Sequence, residues 1–501
     1  MTPHRVSRYA SAFHWCHDRH SERLFRRHPD AGLLGGLRLS RSILIRHGYV
    51  ITMNPRREII TDGGVYIDDG LVQAIGKSDE ISGFGAEVVI DASGMIVMPG
   101  LIDTHVHLAQ ALIRGCADDV SLVDWLKNYV WVLQGNYTEE DGRLSAQLCM
   151  AEMIRTGTTS FVECMIHTRY GFDGIAHAVE EAGMRAALSK IVMDSTGYAD
   201  SPDIMYPGMV EDAKACLKET DQMYSKWHGG GDGRIQVWYG LRSLGAVSDG
   251  LFREVVALAE EKNTRMTMHL GEVVDDVRYV RQRGYSTLTE FADAMGLLRP
   301  NMVFAHGIHF EDSEIQTLAT RGCHISHCPA SNLKLASGFA KIPLMLKKGV
   351  SVSLGCDGGP SNNTYDMIRE MRLAALIHKP VTRDPLVVTA EQVLEMATLG
   401  GARAMGIEDR VGSLEVGKQA DLILVDMRSV GLAPNTNPVS NLVYAGCGHY
   451  VDTAIVNGRI LMRGRRLLTL DEEFLVARAA ERSRDLLDRA GVEISPKWPV
   501  V

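Results

Sequence analysis

The sequence predicts an α/β protein: a (β/α)8 TIM barrel carrying a small β-sandwich domain assembled from both ends of the chain. Three observations lead there. Between residues 99 and 408, eight short apolar segments alternate with amphipathic helical ones, the pattern of βα units around a parallel sheet. On either side, apolar and polar residues alternate over short runs, as in strands with one face in a core. The 501 residues exceed one ordinary domain and suit a large barrel with attachments.

In chain order, ILIRHGYVITM, GGVYIDDGLVQAIG with a turn at Asp69-Gly70, and EVVIDASGMIVMPG read as an antiparallel β layer starting at Ile43. Barrel strands are placed at 96–107, 158–164, 184–194, 234–242, 265–272, 302–310, 323–329 and 350–358. Helical stretches such as DGIAHAVEEAG and SEIQTLATRG lie between them, closed by a glycine suited to a left-handed C-cap. Strand patterns return at SLEVGKQADLILVD and VDTAIVNGRILMRGRRL and complete the first layer. The expected organisation is a basic, poorly ordered extension over 1–42, a composite β domain from 43–98 and 409–468, a barrel over 99–408, and a C-terminal helix and tail over 469–501. The Arg- and His-rich extension fits a transit peptide or an upstream start equally.

A net charge of −9 argues against a nucleic-acid partner, which demands a basic stripe. No apolar run is long enough for a membrane span. Nine cysteines without a CxxC pair, an odd total, do not form a disulfide framework and suggest reduced thiols in a cytoplasm. A small-molecule partner remains.

His105 and His107 stand two apart at the end of the first barrel strand, so both imidazoles face one side. Alone, such a pair is as readily structural as functional. His269 falls near the end of the fifth strand, His306 within the sixth and Asp357 at the end of the eighth, where a barrel places its chemistry. Imidazoles with one carboxylate suit one divalent first-row ion, Zn²⁺ by default and Fe²⁺ as the alternative, rather than Mg²⁺ or Ca²⁺.

The motifs PGLIDTHVH, HLGE, AHGIH, SHCPASNLKLASG and GCDGGPSNN, followed by DMIREMRLAALIHK, occur in order. In them the chain resembles the amidohydrolase superfamily, in the branch of S-adenosylhomocysteine and methylthioadenosine deaminases, guanine deaminases and triazine hydrolases such as atrazine chlorohydrolase. The resemblance covers about residues 43 to 470. It implies His105, His107, His269 and Asp357 as metal ligands, with Glu272, His306 and Asp357 as catalytic groups. Glu272 would carry a proton from water to the ring and the leaving amine, and His306 would hold the attacking oxygen. The lysine that bridges two metals in parts of the superfamily is missing from RIQVWYGLRS, so one ion is expected, with Glu163 and Cys164 read as packing or pocket residues.

The expected activity is release of ammonia from an aminated purine, pterin, pyrimidine or triazine. Removal of chloride or an alkylamine from an s-triazine is the alternative, and a catalytically silent binding barrel a third reading that the retained ligands disfavour. Gln110 resembles a glutamine that grips a ring in guanine deaminases and triazine hydrolases. Gln134 stands where the adenosine-type branch has a glutamate for ribose, Arg242 where it has a histidine, and Lys190 where it has an arginine. Trp125, Tyr129 and Trp131 read either as a wall over the ring or as helix core. His327 is the histidine of SHCPASN expected to line the pocket, while His167, His309 and His324 read as packing residues. Ser361 and Asn362 are expected to support Asp357. A homo-oligomer is compatible with the family.

Overall fold

A computed structural model describes residues 42–494 and 497–499. Apart from Ser42, the extension expected over 1–42 lies outside the described residues. Strands β1 (Ile43–Ile51), β2 (Ile59–Asp68), β3 (Leu71–Lys77), β4 (Val88–Asp91) and β5 (Met95–Pro99) come first. The barrel strands follow as β6 (Leu101–His107), β7 (Thr158–Ile166), β8 (Arg185–Val192), β9 (Ile235–Leu241), β10 (Met266–Leu270), β11 (Met302–His306), β12 (His324–His327), β13 (Ser351–Leu354) and β14 (Asp357–Gly358). Strands β15 (Leu422–Asp426), β16 (Val451–Val456), β17 (Arg459–Arg463) and β18 (Arg466–Leu467) return to the small domain.

Sequential parallel pairing runs from β6 to β13. The eighth barrel strand is split. Ser351–Leu354 bonds to β12, whereas Asp357 and Gly358 lie opposite Val106 and His107 of β6, which closes the sheet on itself. Gly355 makes the step between the halves, since a Cβ there would stand 2.8 Å from the Cβ of His105. Closure sets the end of the last strand beside that of the first, so residues 250 positions apart in sequence share one mouth.

The strand expected at 96–107 is divided at Gly100, with β5 in the small sheet and β6 in the barrel. A side chain at position 100 would meet Thr159 Oγ1 at 2.1 Å, so the chain passes between the two sheets only as glycine. The small sheet runs β18-β17-β16-β15-β5-β1-β2-β3, with β4 also on β1. The layer read as antiparallel is mixed, because β1 pairs in parallel with β4 and β5. Ile45, Val65 and Val97 from the N-terminal strands share one apolar core with Leu422 and Ile455 from the C-terminal ones, so the expected sandwich is one mixed sheet built from both ends of the chain around its own interior. The Asp69-Gly70 turn has positive φ at both residues, as a two-residue hairpin requires.

Two buried charges tie sheet to barrel. Arg185 of β8 donates through Nε and Nη2 to Asp421, at 2.8 and 3.1 Å, and the same carboxylate accepts from the backbone of Asn457 at 2.7 Å. Asp421→Ala strands the guanidinium in the interior, an expected loss of about 3–5 kcal/mol, measured by urea unfolding monitored by circular dichroism. An unchanged midpoint would mean that water reaches Arg185.

The helices follow the apolar periodicity, with one departure of geometry. Leu126–Val130 and Met396–Gly400 are wound as π-turns within longer helical runs, a local widening that often marks functional sites. The first of these lies over the barrel mouth. No described helix is long and apolar enough to cross a membrane, and the described cysteines are free thiols.

Candidate active site

The donors assemble at the C-terminal ends of the strands. His105 and His107 leave β6, His269 leaves β10, His306 ends β11, and Asp357 opens β14. Asp357 Oδ1 lies 3.1 Å from His107 Nε2 and 3.6 Å from His105 Nε2, and His269 Nε2 lies 3.4 Å from His107 Nε2. Ligand atoms at about 2.0–2.1 Å from a tetrahedral zinc stand roughly 3.4 Å apart. The spacing fits that ion.

Buried polar atoms without partners make the same point. Both ring nitrogens of His105 are buried and unpaired, an arrangement that costs free energy unless a partner is supplied, and an ion beside Nε2 would supply one to the nitrogen that faces Asp357. Burial pushes the His105 pKa down to about 4, so the ring is neutral and its lone pair free at ordinary pH. Burial, and after it the Arg242 guanidinium, holds His269 well below its usual range. His269 Nδ1–H donates to the Arg242 carbonyl at 3.0 Å, which turns Nε2 toward the cluster. Burial works against the Asp357 carboxylate, but His105 and His107 outweigh it and hold it well below the usual range.

Cys164 also lies within the donor cluster of His105, His107 and His269. Its sulfur is 3.4 Å from Nδ1 and 3.5 Å from Nε2 of His107, nearly equidistant from both ring nitrogens and so aligned with neither lone pair. The thiol donates to the Val106 carbonyl at 3.3 Å, and burial raises its pKa well above the ordinary value. Asp357, charged and facing the Nε2 atoms, is the better fourth donor. Glu163 accepts from the backbone N–H groups of Leu108 and Met165 and so holds the chain around His107.

Glu272 follows β10, with Oε1 3.8 Å from His306 Nε2. His306 Nδ1–H donates to Asn332 Oδ1 at 2.9 Å, which leaves its buried Nε2 as a lone pair without a partner. Ser331 donates to Asp357 Oδ2 at 2.5 Å, leaving Oδ1 to face the imidazoles. Both His306 and Asp357 have left-handed backbone, with φ of 70° and 65°. Such strain in non-glycine residues concentrates at functional sites.

The cavity over the cluster is lined by Gln110, Leu122, Trp125, Leu126, Arg242 and Leu335 together with His107, His269, Glu272, His306 and Asp357. It shares Leu122 and Leu335 with an open groove of about 570 Å³. Gln110, Trp125 and Arg242 therefore line the cavity. Three expected pocket residues do not. Lys190 is buried on β8, where Nζ donates to Glu211 at 2.7 Å and to the Ile191 carbonyl at 3.0 Å, because the chain after β8 brings Glu211 over it. His327 faces His378 of the helix Met367–Thr382, their Nε2 atoms 3.3 Å apart. Gln134 is buried in its helix outside the lining. A larger cavity of about 680 Å³, between the helices Glu139–Arg155 and Glu472–Ala490, contains none of the residues above.

Trp131 lies beneath Arg242, whose guanidinium is 5.4 Å from its ring centre and 5.6 Å from that of Tyr198. Tyr129 is half-buried. Ser361 hydrogen-bonds the backbone of Gly358, and Asn362 the carbonyl of Cys356, so both brace the chain around Asp357 and not its carboxylate. His167 and His309 bond to backbone carbonyls, and His324 is buried in β12. Ser331, Asn332 and Tyr198 touch the site residues without being marked as such by the sequence. The first two sit inside SHCPASNLKLASG, where the motif was visible but not their partners. Tyr198 lies in a loop without a signal of its own.

A 5'-deoxyadenosine deaminase of Methanosarcina mazei is 38% identical over 447 residues, covering 89% of this chain and 99% of that protein. A 5-methylthioadenosine/S-adenosylhomocysteine deaminase of Moorella thermoacetica is 39% identical over 425 residues, covering 85% and 95%. Among solved structures, an adenosine deaminase from Xanthomonas campestris with bound zinc superposes with a TM-score of 0.83 at 30% identity, over 90% of this chain and 99% of that one. The model of the amidohydrolase family matches residues 96–461, and with a metal-type donor cluster at the mouth of a closed barrel, the chain belongs to that family.

Proposed function

We propose that this chain is a hydrolytic deaminase that releases ammonia from an amino-substituted nitrogen heterocycle with the aid of one zinc ion. One observation carries the reading: Glu272 and His306 converge beside three imidazoles and Asp357 at a single barrel mouth. His105, His107, His269 and Asp357 would hold the ion. When bound, such an ion lowers the pKa of water toward neutrality. Three neutral nitrogen donors and one carboxylate support zinc over magnesium or calcium, and the Xanthomonas structure carries zinc.

Glu272 accepts a proton from the attacking water, delivers it to the ring nitrogen next to the aminated carbon, and helps pass a proton to the departing amine. The water's oxygen becomes the ring carbonyl as ammonia leaves. His306, with its Nε2 lone pair, accepts a hydrogen bond from the water and aims it. Asp357 orients the same water from the other side.

The ring class is supported by two observations that pull apart. The relatives named above favour a 6-aminopurine nucleoside. Arg242 favours a ring that presents an oxygen: it is 4% exposed, packs against two aromatic rings that also touch each other, forms no ion pair among the described residues, and has a buried, unpartnered Nε. A buried cation without a counter-charge is costly, and an oxo group of a guanine- or pterin-like substrate would offset it, with Gln110 on the neighbouring edge.

Ammonia release should be assayed with the metal-loaded protein on 5'-deoxyadenosine, 5'-methylthioadenosine, guanine, a pterin, an aminotriazine and a chlorotriazine. Absence of ammonia from every amine would sink the reading, and chloride release alone would favour a triazine hydrolase. Arg242→Met is expected to raise KM about 10- to 100-fold, the value of a hydrogen bond to a charged group, for an oxo-bearing ring and by no more than about twofold for an adenosine derivative. Steady-state kinetics on both compounds decides.

A further inference from the structure

We infer that Tyr198 is a positioning residue for Glu272, an inference that rests on the deaminase reading and adds a component from a loop outside the ligand-bearing strands. Its hydroxyl donates to Glu272 Oε2 at 3.0 Å. The bond occupies one carboxylate oxygen and leaves Oε1 on the side of His306. A carboxylate free to rotate about its last bond would present either oxygen in many directions. One anchored by a phenol presents a single oxygen to the water.

The loop after β8 is built to hold that phenol. Backbone N–H groups of Asp194 and Ser195 both donate to the Ala246 carbonyl at 3.1 Å, and that of Ala199 donates to Leu244 at 2.8 Å. Tyr198 and Ser201 exchange backbone hydrogen bonds at 3.0 and 2.9 Å. Ala199 is forced to a φ of +46°, a conformation that a non-glycine residue adopts only when its surroundings impose it. The loop is thereby fastened to residues 244–246, immediately after Arg242. The Tyr198 ring is wedged against Trp131, edge to face at 6.2 Å, with the Arg242 guanidinium over it. Lys190 secures the far end of the loop through Glu211, a structural use for the lysine expected in the pocket.

An ordinary core tyrosine would also be buried, so the test must separate the hydroxyl from the ring. Tyr198→Phe keeps the contacts with Trp131 and Arg242 and removes only the donor. The expected result is a kcat lower by about 10- to 100-fold, as for a lost hydrogen bond to a charged group, with KM within about twofold and an unchanged melting temperature. A crystal structure of the variant should show the Glu272 carboxylate rotated from its wild-type orientation. An unchanged kcat, a rise in KM alone, or an unmoved carboxylate would overturn the proposal. Glu272→Gln run alongside distinguishes the two levels. If it is fully active, the role of Glu272 fails; if it is inactive while Tyr198→Phe is fully active, only the role of Tyr198 fails. The crystal structure decides the positioning role even where no substrate in the panel turns over.

Discussion

Glu272→Gln lowers kcat by about 10²- to 10⁴-fold, the contribution of a positioned general acid–base, while the protein keeps its metal and its fold. The amide preserves the shape of the side chain and an oxygen that accepts from Tyr198, but it cannot take a proton from water or hand one to the ring. Because His105, His107, His269 and Asp357 are untouched, metal content by atomic absorption should match the wild type, and KM should move little. Loss of metal together with activity would place Glu272 among the ligands instead. Full activity would remove it from proton transfer.

Stripping the metal, or replacing His269 by alanine, is expected to abolish turnover by at least about a thousandfold, since a bound ion supplies several kcal/mol and each 1.4 kcal/mol is a factor of ten. The two routes differ in recovery. Chelator-treated wild type should regain activity when one equivalent of zinc is added, with ferrous iron as the comparison. His269→Ala should not, because Asp357 and two imidazoles leave a tetrahedral corner open, and the Arg242 carbonyl loses the ring that it orients. Activity that survives exhaustive chelation, with metal content near zero, would overturn the metal-dependent reading.

The site and its surroundings were legible to different degrees, for a physical reason. A strand end is a local property. The period of two fixes which way His105 and His107 point, the apolar runs fix roughly where the strands lie, although β11 ends at His306 and not at the expected residue 310, and the barrel sends every strand end to one face. The placement of His269, His306 and Asp357 at that face therefore followed from sequence alone, as did the barrel and its appended β domain. The resemblance supplied the choice of four ligands and two partners from among those residues.

Contacts made by loops and helices across the mouth were not legible, because each depends on where a distant segment docks. Lys190 reads as a pocket cation until Glu211, 21 residues on, covers it. His327 reads as a pocket residue until His378 of a later helix turns it aside. Conversely, Tyr198 carries no pattern, and Ser331 and Asn332 sit in a motif that does not reveal their partners, yet the three aim Glu272, Asp357 and His306 by single hydrogen bonds. Periodicity and spacing thus determined the fold and which residues stand at the strand ends, and the family resemblance chose the chemical donors among them. Tertiary packing alone decided which oxygen or nitrogen each donor presents, since hydrogen-bond direction is set by partners the chain brings together only when folded.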